Sequence, residues 1–358
     1  PPRSTLFPYT TLFRSISILA IALLALPSAV FAHHSTSEYP DEISEIEGVV
    51  SKKFWKNPHA IFHVVTDNGA EWAVEGSAVT ALTRRGITPD LFDVGDRLKV
   101  AGRASMRRAN NMIMSNILLA DGRELMLSDN GTRRWPEVAA AGRVIDGPTP
   151  EQIAEAEANA NGIFRVWSFA DRPNWFFGDP DVYPLTQAAL DKFATWNEYT
   201  GNPQLQCIPP GMPITMGNPY PIEFVQHDEN TIVMYAHEFD VTRVIHLNAE
   251  PVPTAEETNM GYSTGYWEDE NTLVVDTINI NYPYFNRVGI SSGPDLTVHE
   301  RFIIDDEAGA MRYFSTVTDP WALTEPYAVR ELHWEWVPGQ QLGTYGCEVS
   351  EVYALPNG

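Results

Sequence analysis

Between Glu45 and Leu127 apolar and polar residues alternate with a period of two, the mark of half-buried strands. ISEIEGVVSKKFW, from Ile43, reads as a long first strand. HAIFHVVT, from His59, reads as a second, with Ala60, Phe62 and Val64 on one face and His59, Ile61, His63 and Val65 on the other. Asp67-Asn68-Gly69 is a hairpin turn leading into AEWAVEG, the third strand. SAVTALTRRG predicts a short helix, with Ser77 as its cap and Gly86 as its stop. VGDRLKVAGRA is a fourth strand, and NMIMSNILLADGRELML a fifth that folds back at Asp121-Gly122. Three strands, a helix and two further strands follow the order of an OB-like barrel.

The pattern changes over residues 128–162. SDNGTRRWPEVAAAGRVIDG is loop-like, and TPEQIAEAEANANG is a polar helix with Thr149 as cap, Pro150 in its first turn and Gln152 in capping-box position. Beyond a further helix, LTQAALDKFATWNEY, come eight strands: PIEFVQ, TIVMYAHE, TRVIHLN, GYWED, TLVVDTINI, LTVHERFII, AMRYFSTVTD and LHWEWV. Short, evenly spaced strands without intervening helices predict an antiparallel meander, closed as a lipocalin-like barrel or stacked as a sandwich. The fold class is therefore mainly β. An OB-like barrel over residues 33–127, a linker with a short helix over 128–162 and a larger barrel or sandwich over 163–358 make up its domains.

The amino-terminal residues stand apart. Residues 1–15, PPRSTLFPYTTLFRS, resemble translated sequencing-adapter sequence. Residues 16–32 form an apolar run that ends in Val30-Phe31-Ala32, small residues at the −3 and −1 positions of a signal-peptidase site. The run is shorter than the roughly 20 residues of a spanning helix and is broken by Pro27. The expectation is a signal peptide, a mature chain beginning at His33 with no transmembrane helix, and a periplasmic or secreted bacterial protein.

Composition then narrows function. The net charge is −23, and both arginines ahead of His33 fall in the leader, so the mature chain is more acidic still. Such a chain repels phosphate, which argues against nucleic acid as a partner despite the basic patch at Arg103, Arg107 and Arg108. Two cysteines, Cys207 and Cys347, suit a single disulfide in an exported protein. Their spacing fits neither a CxxC redox motif nor a zinc cluster.

Cleavage after Ala32 would free an α-amine on His33. That amine and the His33 imidazole can chelate one ion, and a third nitrogen from His34, His59 or His63 completes a set suited to Cu(II). The arrangement resembles the histidine brace of secreted copper proteins. His59 and His63 lie roughly 13 Å apart on an extended strand, so one ion takes only one of them; His59, fixed by Pro58, is the stronger candidate. Met112 and Met114 offer thioethers for Cu(I), although core packing is the commoner role of such residues. The metal set is thus His33, His34 and His59.

In the second domain Tyr262, Tyr266, Trp267 and Trp334 are candidates to line a cavity for a small apolar or aromatic ligand. His227, His237 and His246 fall on neighbouring strands without a recognised ligand spacing. There is no GxSxG, HExxH, P-loop or GxGxxG motif. The sequence therefore leans towards a binding protein. A hydrolase or isomerase with its site in the second barrel is one alternative, and a cell-envelope structural or interaction module another.

Two resemblances accompany this reading. AHHS, FWKNPHA, WAVEG, LTRRG, GDRLKVAGRA and NILLADGREL, across residues 32–127, are similar to a family of small exported bacterial proteins of unknown function. CIPPGMP, NPYPIEFVQ, GYSTGYWE, TLVVDT, HERF and VTDP, across residues 163–350, resemble a second such family. Many relatives of the second carry His-Ser where this chain has Tyr262-Ser263. The first resemblance implies that the His-His-Ser start and the Asn57-Pro58-His59 element belong to a shared pattern.

Overall fold

The computed structural model describes residues 39–127, 132–141, 147–170 and 183–353. The period-two segments form strands β1 (Ile43–Phe54), β2 (Ile61–Thr66), β3 (Glu71–Glu75), β4 (Arg97–Ala104), β5 (Asn111–Leu118) and β6 (Glu124–Met126), with helix α1 (Val79–Arg84) between β3 and β4. β1 is long enough to pair with β4 through its first half and with β2 through its second. It bends at a bulge between Val50 and Lys52. At Gly48, shared by both ladders, a Cβ would collide with the Val65 backbone. A parallel pairing of β3 with β5 closes the ring β1-β2-β3-β5-β4. α1 is capped one residue later than expected: Ala78 holds the cap position without a side-chain bond, and Ser77 lies ahead of it.

Inside this ring Phe62, Val64, Val74, Leu98 and Val100 are fully buried. Each contributes about 1.5–3 kcal/mol relative to exposure. Met112 and Met114 belong to the same core, so both are packing residues. The outer face of β2 is also covered: Ile61 packs against Leu205 and Tyr353 from the other half of the chain.

Helix α2 (Pro150–Asn159) starts with the full capping box, Thr149 accepting from the Gln152 N–H and Gln152 accepting from the Thr149 N–H. It buries no residue. The next predicted helix is broken into α3 (Gln187–Phe193) and α4 (Glu198–Gly201), the latter capped by Asn197.

The second half closes as a nine-stranded barrel. β8 (Ile222–Asp228), β9 (Thr231–Ala236), β10 (Val241–Leu247), β11 (Tyr262–Asp269), β12 (Thr272–Ile278), β13 (Thr297–Asp305), β14 (Ala310–Thr318) and β15 (Tyr327–Trp336) match the eight expected strands. The ninth, β7 (Val166–Phe169), was not expected; it bridges β15 and β8 and completes the ring. β10 and β11 pair in parallel because the connection over 248–261 brings the chain back in the same direction. Every other pairing in the barrel is antiparallel. Trp167, Phe224, Phe302, Leu332 and Trp334 fill its interior within one continuous apolar cluster. Both barrels lie within one compact unit. No described helix is long and apolar enough to cross a membrane.

One ion pair is sealed among these side chains. Arg243 on β10 is 1% exposed and Glu300 on β13 is fully buried. The guanidinium donates to both Glu300 oxygens, to Ser263 Oγ at 3.0 Å and to Thr277 Oγ1 at 2.7 Å. Tyr313 donates to Glu300 Oε1 at 2.9 Å. Strands β10 to β14 each supply a member. Arg301, the next residue along β13, bonds Glu268 on the outer face instead.

Removing one partner of a sealed pair leaves a charge with no solvent. Arg243→Met should therefore cost about 3–5 kcal/mol in urea unfolding, and Arg243→Met with Glu300→Leu should recover most of that loss. A double variant as unstable as the single one would count against this account.

Candidate functional site

The two barrels meet along a seam in which polar side chains from both halves collect. The Asn57-Pro58-His59 turn, just ahead of β2, is held there from the far end of the chain. Buried Asn57 donates its side-chain amide to the Tyr345 carbonyl, and its own carbonyl accepts the Glu348 N–H at 3.0 Å. Cys347, bridged to Asn57, is disulfide-bonded to Cys207, as the cysteine count suggested. Lys52 and Glu351 form a 3.0 Å ion pair across the same contact.

His59 projects towards Glu75, the last residue of β3, which the hairpin register places opposite Ile61. His59 Nδ1 lies 2.7 Å from Glu75 Oε1 and 3.1 Å from the Tyr353 hydroxyl. Glu75 Oε2 has no hydrogen bond but faces Arg108 Nη2 at 4.0 Å. The Arg108 guanidinium lies over the Tyr199 ring, 3.7 Å from its centre, and donates to the hydroxyls of Tyr39 and Tyr199. Tyr199 stacks in turn on Tyr353, with ring centres 6.2 Å apart.

These partners set the charges. Burial pushes the Glu75 carboxyl up, but the His59 bond and charge, the Tyr353 hydroxyl and Arg108 outweigh it and hold it below the usual carboxylate range. Burial pushes His59 down, and the Glu75 bond, then the charges of Glu75 and Glu198, bring it above its ordinary value. The phenols of Tyr199 and Tyr353 are raised, chiefly by burial. A carboxylate on Nδ1 fixes the neutral tautomer: the proton sits on Nδ1 and the lone pair on Nε2. Nε2 has no protein partner among the described residues and is not sealed from solvent; the side chain is 35% exposed. The geometry leaves one oriented, accessible imidazole nitrogen at the seam.

Residues 21–112 match a family of unknown function (DUF6152). The matched segment includes His33, His34, His59, Glu75 and Arg108, in keeping with the resemblance drawn from the motifs of the first barrel. No curated protein matches the chain.

The sequence candidates fall in different places. His33 and His34 lie outside the described residues. His59 is at the seam. His63 is nearly enclosed, with Glu71 and Glu351 just under 4 Å away, and burial lowers its pKa. Among the described residues no three His, Cys, Asp or Glu side chains are placed to hold a metal ion. Hence His227, His237 and His246 do not converge. The aromatic quartet is scattered: Trp334 is in the barrel core, Trp267 packs against that core, and Tyr266 is exposed on the outer wall. Tyr262 lines a groove of about 530 Å³, together with Val244, His246 and Met260. There it stacks on His246, ring centres 4.7 Å apart. Glu75, Arg108, Tyr199 and Tyr353 were not anticipated as site residues.

A second buried acid lies further along the seam, where Tyr220 and Tyr345 pack on Ala78. Glu238 is 3% exposed and accepts from the Asn218 amide. Burial raises it to about 7, against smaller lowering effects of Arg287 and Asn218. Between the ordinary carboxyl value of 4.5 and about 7 the unfolded chain loses this proton while the folded chain keeps it. This group's contribution to stability therefore falls as pH rises through that window, by on the order of 3 kcal/mol. Glu238→Gln should remove that part of the slope in urea midpoints measured from pH 4.5 to 7.5. An unchanged slope would show that Glu238 ionises normally.

Proposed function

We propose that the chain is an exported binding protein that holds copper at the seam. The ligands are the amine and imidazole of His33 at a mature amino terminus and Nε2 of His59, with His34 beside them. The observation that carries this reading is the 2.7 Å bond from His59 Nδ1 to buried Glu75. A carboxylate on one ring nitrogen orients the other, makes it more basic, and is the usual outer partner of a metal-bound histidine. Nitrogen ligands suit Cu(II). The apolar leader and the Cys207–Cys347 disulfide support export to the periplasm or beyond. The likeness of residues 163–350 to a second exported family agrees with this.

A second reading rests on the Tyr262–His246 groove. Its size falls within the range of small-molecule sites, and its apolar and aromatic walls suit a small aromatic ligand. The enzyme and envelope-module alternatives have no comparable feature in their favour.

Calorimetric titration of Cu(II) into the chain beginning at His33 tests the first reading. One extra glycine ahead of His33 should abolish tight binding, and His59→Ala should weaken it strongly. Glu75→Gln should weaken it about tenfold or more, the usual cost of losing an outer partner. Equal weak binding by all four proteins would refute the copper site.

A further inference from the structure

The inner face of α2 is polar where that of a packed helix is apolar. Gln152, Glu155, Ala156, Asn159 and Ala160 fall three and four residues apart, on one stripe of the helix. A helix laid against a core carries its large apolar side chains on such a stripe. Here the stripe lines a cleft of about 290 Å³, and no residue of α2 is buried. The facing wall comes from the chain entering β7 and the chain leaving β15. The first turn of α2 anchors the helix there. Gly339, with φ at +81°, runs so close to Pro148 and Gln152 that a Cβ would collide. The helix is thus fixed in place while its inner stripe borders a hollow instead of a core.

The cleft offers donors whose orientation the protein has already set. Gln152 accepts the Thr149 N–H at 2.8 Å through Oε1, and Gln340 accepts from Ser168 Oγ through Oε1. Each bond uses the amide oxygen and leaves the NH2 group without a partner among the described residues. Neither nitrogen is sealed from solvent. Glu155 and Glu223 supply acceptors in the same walls, and Ala156, Ala160, Phe164 and Val166 supply apolar surface between them.

A ligand for these walls must accept from an amide, donate to a carboxylate and present an apolar side. An alcohol hydroxyl accepts and donates at once. A pyranose carries several hydroxyls around a ring with C–H faces. An anion would meet two carboxylates and a strongly acidic chain. We propose that the cleft between α2 and the second barrel binds a neutral sugar ring, its hydroxyls bridging the Gln152 and Gln340 amides and the two carboxylates. The site is separate from His59 and does not depend on copper.

The test is saturation-transfer NMR and calorimetry on the chain beginning at His33. The probes are the methyl glycosides of glucose, galactose, mannose and N-acetylglucosamine. Glucuronate, which adds a negative charge, and cyclohexanol, a ring with one hydroxyl, are the controls. At least one glycoside should bind in the millimolar range, about tenfold or more tighter than either control, the scale of one or two hydrogen bonds. Ala156→Trp, which fills the cleft from a helix that buries nothing, and Gln340→Leu, which removes one amide, should each weaken that binding about tenfold or more. Ala154→Trp, on the exposed side of the same helix, should leave it unchanged. If Gln340→Leu does not fold, Ala156→Trp decides. No binding by any of the four glycosides, binding no tighter than that of the controls, or indifference to Ala156→Trp would each overturn the proposal.

Discussion

Two barrels that bury separate cores must be held together by what lies between them. Here that constraint is the carboxy-terminal strap, residues 345–353. Its Cys347 is tied to Cys207, 140 residues earlier, and its backbone bridges Asn57 of the first barrel. In the chain-entropy view such a closure is worth up to about 5 kcal/mol. Tyr353 then seats against Ile61 and Leu205 and reaches His59. The environment of His59 is thus assembled from β3, from α4 and from the end of the chain. The histidine lies on the first barrel, but its setting depends on the second.

The protein carries two kinds of buried charge, and the contrast between them bears on function. In the Arg243–Glu300 pair five strands supply partners, and neither member lines a described groove or cavity. Such a pair specifies which strands meet and has little left to offer a ligand. In the His59–Glu75 pair one ring nitrogen is bound and the other is left open. A structural pair uses its donors and acceptors internally, while a receptive one keeps an atom in reserve.

Much of the fold was legible because it is local. Alternation gave β1 to β6, and Thr149, Pro150 and Gln152 gave the start of α2. β7 escaped because four residues, VWSF, are too few to show a period. The parallel β10–β11 pairing escaped because nothing local encodes the return path of a long connection. Two buried features were within reach. The hairpin at Asp67-Asn68-Gly69 sets a register that puts Glu75 opposite Ile61, beside His59. Arg243 shares the inward phase of Val241, Ile245 and Leu247, which marks it as buried. Tyr353 was beyond reach, since its place depends on a strap that only the folded chain defines.

The most direct measurement is a crystal structure of the chain beginning at His33 with Cu(II) bound, the ion located by anomalous scattering at the copper edge. The account predicts one ion on His59 Nε2 and the His33 amine, with Nδ1 still bonded to Glu75. Copper elsewhere, with His59 Nε2 unliganded, would contradict it.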